Sequence, residues 1–104
     1  MNVTFPPKLI AATNTLPFDF ASALSIGETI VSALVTATVF SGEDANPSNI
    51  INGSATISGS IVLQSVTAGT IGVVYVLSCA ATTSTGQELL LNGYLAVISN
   101  NPFQ

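Results

Sequence analysis

The chain has 104 residues, a formal net charge of −4, one lysine, no arginine and no histidine; 48% of its residues are hydrophobic and 6% are charged. A length near one hundred predicts a single domain with one modest core. The missing cations exclude a phosphate-neutralising nucleic-acid binder, and the missing histidine removes the commonest general base and metal ligand.

Residues 1–15 read as an extended arm. Phe5-Pro6-Pro7 forces a polyproline-like path, and Leu9, Ile10, Leu16 and Phe18 are apolar enough to need a surface to lie on. A strand is predicted over 16–20, entered at Pro17, where a strand start tolerates proline. Residues 25–28 read as a turn. The first long strand covers 29–40, with Val31, Ala33, Val35, Ala37 and Val39 on the core face.

Residues 41–49 form the clearest loop, because Gly42, Asp44, Asn46, Pro47 and Asn49 are all turn formers. A short strand begins at Ile50-Ile51, and Asn52-Gly53 reads as a tight hairpin. Strands follow over 55–57 and 60–66. In the latter, Ile61, Leu63 and Ser65 share one face and Val62, Gln64 and Val66 the other. Residues 68–72 turn into the second long strand, 73–82, whose two faces are both largely apolar. One of them carries Val73, Tyr75, Leu77, Cys79 and Ala81. A hairpin loop at 83–87 leads to the last strand, 88–98, with a bulge expected at Gly93. Residues 100–104 form a short C-terminal tail.

Twelve serines and twelve threonines accompany many Val and Ile residues, a composition that favours pleated strands over helices. Turn signals recur every eight to twelve residues. The reading is all-β: a single immunoglobulin-like (fibronectin-like) antiparallel β-sandwich of about seven strands over 16–99, behind the N-terminal arm. Tyr75-x-Leu77-x-Cys79 after a Gly-rich turn resembles the penultimate strand of such domains, where a tyrosine ties a corner. The absence of Trp and the unpaired Cys79 separate the chain from antibody-type domains. The most apolar stretches, 30–40 and 71–81, are too short for a membrane-spanning helix, and no membrane partner is expected.

No catalytic constellation is legible. Cys79 has no histidine to activate it, and an apolar strand predicts a buried, inert thiol. Asp19, Glu28, Glu43, Asp44 and Glu88 form no pair in a cleft-like context. Glu43, Asp44, Asn46 and Asn49 gather oxygen ligands in one loop, with Ser48 among them. Pro47 and the spacing break the EF-hand pattern, so these residues mark a candidate functional loop, read as a solvated turn with a weak calcium site as the alternative. No cofactor and no enzyme activity are expected.

A free monomer carries about a quarter charged residues, far more than this chain has. Much of the surface is therefore expected to be Ser/Thr-coated or covered by other protein. The candidate partner interface is Phe5, Pro6, Pro7, Leu9, Ile10, Leu16 and Phe18. Tyr75, Tyr94, Phe18, Phe20 and Phe40 could instead serve a sugar-stacking platform, although their strand positions fit a core better.

Several short motifs resemble a group of small phage virion accessory proteins. They are Phe5-Pro6-Pro7-Lys8, Phe18-Asp19-Phe20, Gly27-Glu28-Thr29-Ile30, Gly69-Thr70-Ile71-Gly72-Val73-Val74-Tyr75 and Thr83-Ser84-Thr85-Gly86-Gln87. Members often carry a Trp near the first strand and an Arg after the hairpin; this chain has no Trp, and Gln87 stands at the Arg position. The resemblance implies an Ig-like, non-enzymatic structural protein of the virion, of the fibre-tail adaptor type. Its partners would be tail, neck, fibre or capsid subunits, met in multiple copies. Capsid decoration and a carbohydrate-binding or host-adhesion module are the alternative functions.

Overall fold

The computed structural model describes residues 2–99, and the tail expected at 100–104 lies outside them. Eight strands form: β1 (Asn2–Thr4), β2 (Lys8–Leu9), β3 (Asn14–Asp19), β4 (Ile30–Ser41), β5 (Thr56–Ser58), β6 (Ile61–Val66), β7 (Val74–Thr83) and β8 (Glu88–Ile98). They make two sheets. The large one runs β1-β8-β7-β4 with β2 also on β8, and the small one runs β3-β6-β5. The chain is all-β, as its composition predicts.

The core lies between the sheets. Of the two apolar faces of β7, the one with Tyr75, Leu77 and Cys79 is fully buried, in one core with Leu91, Leu95 and Val97 of β8 and Phe18, Val62 and Val66 of the small sheet. Of the two faces of β6, the one with Val62, Gln64 and Val66 turns inward. Buried Gln64 satisfies its amide by donating to the carbonyls of Gly53 (3.1 Å) and Ser65 (2.8 Å), as a buried polar group must.

Five expectations need correction. First, the large sheet is mixed and not antiparallel throughout, because β1 and β2 pair parallel with β8. Residues 2–9 are thus extended, but they lie along their own domain. The physical reason is that Phe5 finds a seat in the core and Lys8 finds buried acceptors.

Second, Gly93 sits in unbroken register opposite Leu77 and Val3, with no bulge. The Phe5 ring lies where a Cβ would stand, and it packs edge-on against Phe18 at 5.3 Å between centroids. The glycine therefore serves close approach of a side chain. Third, a register shift between Ile30 and Ser32 puts a bulge at the start of β4. It turns Ile30 inward and leaves Val31 59% exposed, a reversal that strict alternation cannot anticipate.

Fourth, Ile50 belongs to a 3-10 turn (Pro47–Ile50) and not to a strand. Its side chain still plugs the core, and Ile51 makes a single bridge to Val66. Fifth, Asn52-Gly53 bends the chain, and the tight hairpin falls instead at Gly59-Ser60 between β5 and β6. Asn52 and Ser65 take up the local hydrogen bonds through backbone and side chain.

Candidate docking surface

The outer face of the large sheet is built by the alternate residues of β4, β7 and β8. Register places Leu34 beside Ala80 and Leu90, Thr36 beside Ser78 and Asn92, and Thr38 beside Val76 and Tyr94. The middle row is held by Ser78 Oγ donating to Asn92 Oδ1 at 2.7 Å. Phe40 stands edge-on to Tyr94, with centroids 5.0 Å apart and rings at 73°. Leu34 is 66% exposed, Phe40 64% and Leu90 55%. No residue of these three rows is charged. The one charge of this face among the described residues is Glu88, at the rim one row beyond Leu90, and apolar groups this open form the kind of patch that marks an interaction site.

Each end of the sandwich is tied by one carboxylate. At one end, Glu28 Oε1 accepts from the Ser25 backbone N–H at 2.9 Å. Its Oε2 accepts from the Thr83 hydroxyl at 2.6 Å and from the Thr85 hydroxyl. These donors, the Ser25 amide first, hold the Glu28 carboxyl below its ordinary value. The Ser84 N–H also donates to the Thr29 carbonyl at 2.7 Å. The turn before β4 is thereby clamped to the β7–β8 hairpin, and Ile26 projects fully exposed from its tip.

At the other end, the buried Tyr75 hydroxyl donates to Asp44 Oδ2 at 2.6 Å and accepts from the Thr70 N–H at 2.8 Å. The Thr70 hydroxyl also donates to Asp44 Oδ2, and the Asn46 N–H donates to Oδ1 at 2.9 Å. The hydrogen bond from Tyr75, then that from Asn46, lowers the Asp44 pKa. Burial, followed by the Asp44 carboxylate, raises that of Tyr75. Tyr75 thus ties the start of β7 to the loop at 41–49 and to the turn before β7. Both Asp44 oxygens are engaged within the fold, which directs this carboxylate inward and away from a ligand. Glu43, Asn46 and Asn49 are exposed on the same loop. No group of three or more His, Cys, Asp or Glu capable of holding a metal exists among the described residues.

The seven residues expected at a partner interface divide in two. Phe5, Leu16 and Phe18 are buried in the core of the single chain. Pro6, Pro7 and Leu9 are exposed, and Ile10 is half-buried. Phe5, Pro6 and Leu16 do come together, with Pro17 and Asn14, along an open groove at the seam between the sheets. Of the possible stacking aromatics, Phe18, Phe20 and Tyr75 are core, whereas Phe40 and Tyr94 lie on the outer face.

Lys8 was not singled out by its position, yet it is the most unusual side chain of the molecule. It is fully buried. Its ammonium donates to the carbonyls of Leu9 (2.9 Å), Ile10 (3.2 Å) and Ala68 (2.9 Å), which fastens β2 to the loop before β7. Desolvation lowers its pKa. Cys79 is buried and free, with burial pushing its thiol up to about 11, where it is a poor nucleophile.

A family model described as Podophage GP4 fiber-tail adaptor protein gp77 matches residues 8–91. The chain belongs to this family. The match runs from buried Lys8 to the core residue Leu91, so it spans both sheets, both carboxylate ties and most of the outer face. It agrees with the phage resemblance of the sequence motifs and makes the chain one of a family of phage structural adaptors. No curated protein sequence matches the chain.

Proposed function

We infer that the protein is a non-enzymatic structural component of the virion. In this reading it docks by the largely apolar outer face of β4, β7 and β8 on the tail or neck, and presents its clamped loops to a fibre or accessory protein. The observation that carries this is the face itself, with Leu34, Leu90 and Phe40 each more than half exposed and no charge in the rows between them. Burial of such a face against protein gains the hydrophobic term without stranding a charge. Exposed Ile26, on its clamped turn, supplies a preorganised contact at the loop end. Pro6, Pro7 and Leu9 extend the surface along the β8 edge. Repetition in a symmetric particle would add avidity to each small contact.

The strand order supports the immunoglobulin-like reading. One sheet carries the second, fifth and fourth core strands in the order β3-β6-β5, and the other carries β4, β7 and β8, the division found in such sandwiches. The Tyr75 hydroxyl bonded to a backbone N–H five residues upstream matches the tyrosine corner of that fold. Nothing in the structure favours capsid decoration. The Phe40–Tyr94 pair is the one feature that suits a sugar, and its T-shaped geometry offers no coplanar platform.

The test is incorporation into phage particles. A Leu34→Glu/Leu90→Glu variant, shown folded by circular dichroism, should be lost from purified virions. Wild-type incorporation of that variant would overturn docking by this face. Deleting residues 1–15 is a poorer test, because it also removes core Phe5 and Lys8.

A further inference from the structure

Two sheets present four edges, and three of them are blunted. β3 carries Pro17, which has no N–H to offer; β5 is three residues long; and the β1/β2 edge is interrupted by Pro6-Pro7. These are the devices that keep sheet edges from pairing with other chains. β4 has none of them in its middle. It is the longest strand, twelve residues without proline or charge. Among the described residues it pairs only with β7, so its second edge has no strand partner, and the Pro47–Ile50 turn and β5 pack near it from the small-sheet side without a ladder. Bulges mark its two ends, at Ile30/Ser32 and Val39/Ser41, and leave an unbroken register from Ser32 to Val39.

The occupant is written in the strand. Fold β4 back on a copy of itself, antiparallel, with Thr36 on the two-fold axis. Residues then meet on the same face of the sheet, and each larger residue opposes a smaller one: Val35 meets Ala37, Val39 meets Ala33, and Leu34 meets Thr38. Thr36 meets its own copy, a favourable cross-strand pair. The inward-facing residues at the two ends of this window, Ala33 and Val39, are the half-buried ones, whereas Val35 and Ala37 are already covered. The pairing would cover both. Because β4 carries no charge, two chains of net charge −4 can meet here without like charges in opposition. The window fits between the two bulges.

We propose that two copies of this chain associate through antiparallel β4–β4 pairing over residues 33–39, centred on Thr36. The contact is isologous and closed. It would join the two large sheets into one and place the two outer faces side by side. This inference does not rest on the adaptor reading, and failure of either leaves the other standing.

The experiment is sedimentation velocity on the purified full chain over a concentration series. Wild-type protein should approach twice the mass of one chain, 10.6 kDa. Thr36→Lys and Thr36→Glu, each at an exposed position, should each sediment as monomers with unchanged circular dichroism, because each sets like charges opposite across the axis. An equimolar mixture of the two should recover the dimer. A wild-type chain that stays monomeric throughout would overturn the proposal. So would a dimer that both single variants leave intact, or an edge that only an extended peptide of a tail or fibre protein protects from amide exchange.

Discussion

The two faces of the large sheet are nearly alike in residue type and opposite in fate. The inner face of β7 carries Tyr75, Leu77 and Cys79, and the outer face carries Val74, Val76 and Ala80. Neither face of β7 holds a charge. The inner residues are fully buried because the small sheet and the Phe5 ring close over them. The outer ones stay half-buried or exposed because no element among the described residues packs over that face. Apolar alternation therefore reports how much surface a strand can bury, and the number of layers decides how much it does bury.

That difference can be broken by substitution. On the inner face, Leu77→Ala should cost about 2–5 kcal/mol in urea unfolding, the range for a fully buried leucine in a core that cannot collapse around the gap. Gly93→Ala should cost about 1–3 kcal/mol, because its methyl displaces the Phe5 ring from a closed seat; release of β1 would show as faster amide exchange at residues 2–5. Tyr75→Phe should cost about 1 kcal/mol by removing the hydroxyl shared by Asp44 and Thr70.

The Tyr75 effect should depend on pH. Asp44 has a lowered pKa in the fold, so its contribution is complete above its ordinary carboxylate value and is lost as pH falls through the lowered one. Denaturation curves of wild type and Tyr75→Phe should accordingly converge in acid; a constant gap would show that Asp44 is not the partner that matters. Smallest of all, Leu90→Asn on the outer face should change stability by no more than about 0.5 kcal/mol. A large loss there would mean that the face is covered within the isolated chain.

Much of the fold is legible from the residues. The bounds of β8, the sorting of β7 residues into two alternating faces and the turns at 25–28, 68–72 and 83–87 all follow from alternation and turn chemistry. Val31 and Gly93 misled for one reason: each is governed by a neighbour distant in sequence, a bulge against β7 in one case and the ring of Phe5 in the other. The candidate site is legible in part. A scarcity of charge together with two apolar faces points to covered surface, but the arm of residues 1–15 drew attention away from β4 and β8. Phe5, Leu16 and Phe18 carry the same hydrophobic signal whether they face a partner or their own core.

Composition and periodicity by themselves determined that this chain is all-β and is short of charge for a solitary surface. They do so because strand propensity, charge and side-chain inventory are properties of residues taken one at a time or two apart. Only the tertiary structure decided which apolar face is core, that Lys8 is buried among three carbonyls, and that β4 keeps an open edge. Those outcomes depend on which strands become neighbours, and that follows from closure of the whole sandwich and not from any local stretch of sequence.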